Sequence, residues 1–148
     1  MPNNNQMTKL SYNDVQRLIN ETEQLKSQLQ FYIQQSTLVN DSITDLEGSR
    51  LALKEILSRK EGEKLLIPLG TQLLLPVIID SKTTVLHDLG SNISKNIPVE
   101  DSIKKIESRI ELFRKSATSL NQEIYKLETI ITQRENFLNQ LVPADTKK

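Results

Sequence analysis

Few residues of this 148-residue chain belong to the types that do chemistry, and their spacing decides what they can do. His87 is the sole histidine, so neither a histidine metal cluster nor a relay between histidines can be built. Cysteine is absent, which removes thiolate nucleophiles, thiolate ligands and disulfides together and agrees with a reducing compartment. A phosphate-binding loop needs clustered glycines ahead of a lysine and a hydroxyl residue. Gly48, Gly62, Gly70 and Gly90 are dispersed, and none is followed by Lys-Ser or Lys-Thr. Asp41 and Asp45 could pair as acid and base only in a cleft, whereas their spacing places them on one helix face as solvated charges. His87 reads as a strand residue. The chain is therefore expected not to be an enzyme and to need no cofactor or metal.

Charge narrows the classes further. Nineteen basic and nineteen acidic residues cancel, with the signs mixed along the chain. Without a basic stripe, and with few aromatic residues among the basic ones, nucleic acid is not an expected partner. The longest mostly apolar run, Leu73 to Ile79, is too short to cross a bilayer, and residues 1–6 lack the charged and apolar regions of a signal peptide. A cytoplasmic location without membrane association is the expectation.

The elements that would position any working surface follow from two heptad ladders. In the first, Val15, Thr22, Leu29, Ser36, Ile43, Arg50 and Leu57 occupy a, and Leu18, Leu25, Tyr32, Val39, Leu46 and Leu53 occupy d. In the second, Ile103, Ile110, Ala117, Ile124, Ile131 and Leu138 occupy a, with Ile106, Phe113, Leu120, Leu127, Arg134 and Leu141 at d. Such repeats specify supercoiled helices with a narrow apolar seam, each roughly 60 Å long at the rise of an α-helix. Similar lengths across a central connection favour an antiparallel hairpin. Polar seam positions favour one register, with Val15 facing Leu141, Leu25 facing Ile131, Leu46 facing Ile110 and Thr22 facing Arg134. Ser11 with Asp14 forms a capping box for the first helix, and Arg59 to Gly62 suit its end.

Between the ladders the period changes. Leu65 to Pro68 precede Gly70, and Leu73 to Ile79 form an apolar run interrupted by Pro76. Val85, His87 and Leu89 alternate with Thr84, Leu86 and Asp88, and Ile93 to Ile97 can add a fourth strand. Turns at Asp80 to Lys82 and Gly90 to Asn92 make these two hairpins. So few strands are marginal alone, so their edges and apolar faces are expected to pair with other subunits. The predicted organisation is a flexible N-terminus at 1–10, helix at 11–61, a β-hairpin assembly segment at 62–98, helix at 99–142 and a disordered tail at 143–148. The fold class is α+β, mostly α: a long antiparallel two-helix coiled coil with two short β-hairpins at one end.

The stretch from Gly62 through Glu-Lys-Leu-Leu-Ile-Pro-Leu to Gly70, continued by Leu75 to Asp80 and Val85 to Gly90, resembles the prefoldin α-class subunits. It is similar to that family's "GKELLVPLG" strand and glycine-ended hairpin, but Ser91, Asn92 and Ile93 stand where many relatives have a second glycine and an aromatic residue. The resemblance implies a hexamer of two α-class and four β-class subunits whose strands join into a β-barrel platform. It further implies ATP-independent capture of unfolded client proteins and delivery to a group II chaperonin. Assembly would then fall to Leu65, Ile67, Leu73, Leu75, Val77, Ile79, Val85 and Leu89. Client contact would fall to the arm tip, where apolar residues spill off the seam: Leu10, Tyr12, Ile19, Ile130, Phe137 and Val142. The competing expectation is a structural or tethering coiled coil that binds one specific partner.

Overall fold

In the computed structural model, residues 10–80 and 84–141 are described. They form α1 (Tyr12–Ser58), β1 (Lys64–Gly70), β2 (Leu73–Ile78), β3 (Thr84–Asp88), β4 (Ser94–Pro98) and α2 (Val99–Leu141). The chain is thus α+β and mostly α. It divides into two compact units, residues 1–38 with 117–148 and residues 39–116. Val142, residues 1–9 of the N-terminal segment expected at 1–10, the tail expected at 143–148, and the turn residues Ser81 and Lys82 lie outside the described residues.

The start of α1 is fixed by a reciprocal capping box. The Ser11 backbone N–H donates to Asp14 Oδ2 at 3.2 Å, and the Asp14 N–H donates to Ser11 Oγ at 3.3 Å. Two of the donors that a helix N-terminus leaves unpaired are thereby satisfied, an arrangement worth about 1 kcal/mol.

In the first unit, the a and d positions are the sequestered ones. Thr22, Ser36, Ala117, Leu127 and Ile131 are buried, and Val15, Leu18, Leu25, Leu29, Tyr32, Leu120, Ile124 and Leu138 are half-buried. Polar contacts join the helices, among them Ser36 Oγ with Asn121 Oδ1 at 3.2 Å, Arg134 Nη1 with Glu21 Oε2 at 3.2 Å, and Lys26 Nζ with Glu135 Oε1 at 2.8 Å. The first two show that the helices run antiparallel here. Serine and asparagine are short, so Ser36 and Asn121 must lie at nearly one level, which places Ser36 opposite Leu120 and Leu25 opposite Ile131. Sliding one heptad would move Asn121 about 10 Å along the axis and break the bond.

The register that sets Thr22 opposite Arg134 leaves each side chain its own partner: the Thr22 hydroxyl donates to the Leu18 carbonyl of its own helix at 2.7 Å, and the guanidinium takes the neighbouring Glu21 carboxylate. A helical threonine readily bonds back one turn, and a carboxylate is the stronger acceptor for a guanidinium.

In the second unit, Lys54 pairs with Glu107 at 3.2 Å and Arg114 with Glu47, all at e positions, as Lys26 and Glu135 are in the first unit. These exposed pairs add little stability individually and serve mainly to favour one register. Ile103 and Ile110 are buried and the facing α1 residues half-buried. Arg50 is the weak layer: its Nε is buried without a hydrogen-bond partner.

α1 ends at Ser58, short of the expected residue 61, because the Ser58 hydroxyl takes the Glu55 carbonyl and the chain then turns through Gly62 at φ +82°. Gly62 N–H donates to the Ile79 carbonyl at 2.8 Å and Ile79 N–H to the Glu63 carbonyl at 3.0 Å, closing the base of the first hairpin. β1 and β2 pair antiparallel from Lys64↔Ile78 to Gly70↔Leu73, with a bulge that leaves Leu69 outside the ladder. β3 and β4 pair from Thr84↔Pro98 to Asp88↔Ser94. Their turn has the Ile93 N–H donating to the Gly90 carbonyl at 3.0 Å, with Ser91 at φ +53° and Asn92 at φ +60°. Positive φ at both central residues is the type I′ geometry of tight hairpins, so the departure from the family's glycine pattern leaves a regular turn made of strained residues.

Three measurements check this account. The chain lacks cysteine, so a Leu25→Cys, Ile131→Cys variant is expected to cross-link readily under mild oxidation, whereas Leu25→Cys with Leu138→Cys, the slipped register, is expected to remain reduced. Arg50→Met is expected to raise thermal stability by about 1 kcal/mol, because it replaces a buried unsatisfied N–H with an apolar stem of similar length. Ser91→Gly is expected to add about 0.5 to 1 kcal/mol by relieving a left-handed L-residue, net of the extra freedom glycine has when unfolded. A loss of stability on that substitution would show that the Ser91 side chain, not its backbone, matters.

Candidate interaction surfaces

The first hairpin is built from strands too apolar for a sheet with one wet face. Alternation along the register puts Leu65, Ile67, Leu73, Leu75 and Val77 on one face and Leu66, Pro68, Leu74, Pro76 and Ile78 on the other. Both faces are apolar. Leu66 is 63 % exposed and Ile78 64 %, and on the first face Ile67, Leu73 and Leu75 are exposed as well. Each strand also has a free edge, since each sheet has two strands only. Continuous apolar strands of this kind belong in sheets covered on both faces. Pro68 and Pro76 each remove one N–H donor, which limits where another strand could add.

The second hairpin is divided between its faces. Ile97 is buried and Val85 and His87 are half-buried, whereas Leu86, on the opposite face, is 71 % exposed. Leu89 and Ile93, flanking the turn, are also exposed. Ile79 differs from the other residues expected to carry assembly, because it is buried within the chain and closes the first hairpin.

The candidate client-contact residues belong to the first unit. Tyr12 is 82 % exposed, while Leu10, Ile19, Ile130 and Phe137 are exposed by only about two fifths. Ile19 lies one position beyond the seam residue Leu18, and Ile130 and Phe137 one position before Ile131 and Leu138, so each flanks the covered stripe. Val142 falls outside the described residues.

Sequence reasoning passed over several exposed groups. Leu66, Leu74 and Ile78 are not among the residues expected to carry assembly, although the uninterrupted Leu65-Leu66-Ile67 and Leu73-Leu74-Leu75 runs signalled two apolar faces. On the helices, Phe31, Leu38 and Tyr125 stand outside the seam and are exposed. Only a check of every b, c and f position would have found them.

No group of three or more metal-ligating side chains occurs among the described residues, and no described helix is long and apolar enough to cross a membrane. Two exposed cations are held charged: Lys26 is raised chiefly through its hydrogen bond to Glu135, and Arg59 chiefly through that to Glu55.

Two long helices enclosing two antiparallel hairpins are a plan that known proteins share. The family model described as Prefoldin subunit matches residues 25–144. The chain belongs to the prefoldin family. Among similar proteins, "Prefoldin subunit alpha" of Pyrobaculum calidifontis is 29 % identical over 136 residues, covering 89 % of this chain and 96 % of that one. "Prefoldin subunit alpha 2" of Methanocaldococcus jannaschii is 28 % identical over 98 residues, covering 64 % and 67 %. Together with the family match, these relatives support an alpha-class prefoldin subunit. In three dimensions, the fold is similar to a chain of filamentous PFD from Methanocaldococcus jannaschii, with TM-score 0.63, 24 % identity and coverage of 77 % and 95 %. It is also similar to the prefoldin beta subunit from Thermococcus strain KS-1, with TM-score 0.57, 17 % identity and coverage of 86 % and 90 %. Prefoldins are chaperones, and this chain has the general role of a chaperone subunit.

Proposed function

We propose that this chain is the α-class subunit of a hetero-oligomer with β-class prefoldin subunits, that the assembly captures unfolded proteins without nucleotide, and that it delivers them to a group II chaperonin in the cytoplasm. The observation that carries the reading is the first hairpin, apolar on both faces and open at both edges. Such a hairpin is marginal by itself, and its surface favours burial against further strands. A complex of two α-class and four β-class subunits, with a β-barrel made from the hairpins, would cover it. Leu65, Ile67, Leu73, Leu75, Val77, Val85 and Leu89, with Ile79 fixing the hairpin base, supply that surface in this proposal. The exposed Leu66, Leu74 and Ile78 add its second side.

Client contact is assigned to Leu10, Tyr12, Ile19, Ile130 and Phe137, and to Val142 beyond the described residues. Isolated apolar groups beside a coiled-coil seam bind weakly and without sequence preference. Several copies in one assembly would hold a client through effective concentration instead of single-site affinity. Without a phosphate-binding motif, release would depend on competition by the chaperonin, with no step driven by hydrolysis.

Coexpression with a β-class subunit and native mass measurement is expected to give a hexamer. That complex is expected to suppress aggregation of an unfolded test protein without ATP. The variant Ile19→Ser, Ile130→Ser, Phe137→Ser is expected to assemble normally yet suppress aggregation several-fold less well. Undiminished suppression by that variant would move the client surface elsewhere, and a requirement for ATP would reject the mechanism.

A further inference from the structure

Lysines in this chain fall into two groups. Along the helices, Lys26, Lys54, Lys115 and Lys126 each hold a carboxylate, at distances between 2.6 and 3.2 Å. Lys95, Lys104 and Lys105 hold none among the described residues, and all three line one open pocket of the second unit with Asn96, Ile97, Pro98 and Asp101. β4 runs without a loop into α2 at Val99, which brings a strand lysine beside two lysines of the first helical turns. Lys60 and Lys64 also hold no carboxylate among the described residues, but they do not line this pocket.

The chain has opportunities to neutralise these charges and does not use them. Glu100 and Asp101 stand one turn before Lys104 and Lys105, the spacing that suits helical ion pairs, yet neither pair closes to 4 Å. Glu107, on the other side of Lys104, is committed to Lys54. Asp101 is the sole acid of the lining. Across the hairpin, the residue paired with Lys95 is His87, not an acid. In a chain whose charges balance overall, three unneutralised ammonium groups around one recess are a local positive field.

We infer that the Lys95, Lys104 and Lys105 pocket is a docking site for an acidic segment of another protein. Lysine ammonium groups are mobile point charges that match carboxylates spread along a peptide, with little demand on geometry. Such a contact speeds encounter and weakens as salt rises, which suits a transient partner. The inference does not depend on which clients the chaperone holds.

The test uses the full chain and a fluorescein-labelled oligoglutamate peptide, read by anisotropy, with a labelled oligoglutamine peptide as control. The acidic probe is expected to bind at low ionic strength, to weaken steadily with added salt, and to outbind the neutral probe. Lys95→Gln, Lys104→Gln, Lys105→Gln together are expected to weaken binding by about tenfold or more, while Lys115→Gln with Lys126→Gln leaves it unchanged. Asp101→Asn is expected to tighten binding several-fold, an outcome that a misfolded variant would not give. Absence of binding at low salt, an equal loss in the Lys115 and Lys126 variant, or no change on Asp101→Asn would each overturn the site. Tighter binding by an oligouridylate of equal charge, displacing the peptide, would overturn the protein partner in favour of nucleic acid.

Discussion

Two helices wound together can bury only one narrow stripe of each, and the character of this chain follows from that constraint. With so little interior, the seam cannot rely on bulk hydrophobic area to define its alignment, so specific polar contacts take a larger share. The a positions of α1 alternate apolar and polar: Val15, Thr22, Leu29, Ser36, Ile43, Arg50, Leu57. Each polar layer is resolved differently. Ser36 crosses to Asn121, Thr22 bonds back to its own helix, and Arg50 keeps a buried N–H without a partner. The crossing contact discriminates between registers, whereas Arg50 only weakens the seam.

The same constraint governs the strands. A compact domain would lay a sheet over its own core, but here neither face of the first hairpin finds enough apolar surface within the chain. Ile79 and Ile97 are buried at the hairpin bases, while Leu66, Leu74, Ile78 and Leu86 remain in contact with water. The hairpins are thus tied locally and left open distally. The proposed assembly follows from that imbalance more directly than from any single residue.

Much of this was legible in the sequence because it depends on period and on local chemistry. The heptads located the covered stripe, Ser11 with Asp14 located the start of α1, and the switch from a period of seven to alternation located the hairpins. What escaped depends on choices among near neighbours. That Arg134 takes the Glu21 carboxylate is settled by acceptor strength and rotamer, which spacing does not encode. The apolar second face of the first hairpin was visible as unbroken leucine runs, yet the residues expected to carry assembly there came from its first face and from Ile79 at its base. That Ser91 and Asn92 accept left-handed backbone reflects closure of a two-residue turn outweighing their own preference.

Charge placement separates the parts of the molecule by role. Along the helices many acids and bases pair across and along the seam, as Lys26 does with both Glu23 and Glu135, which weakens the field of those surfaces. Neutral flanks beside exposed apolar groups favour indiscriminate contact, since a charged flank would select against clients of the same sign. The recess at the start of α2 has the opposite character, with cations left unneutralised although acids stand within a turn. Under the proposed function, a subunit of this kind would have to tolerate any unfolded chain while recognising a few folded partners. Charges paired along most of the arm and left open beside β4 and the first turns of α2 would keep those two proposed kinds of recognition chemically distinct.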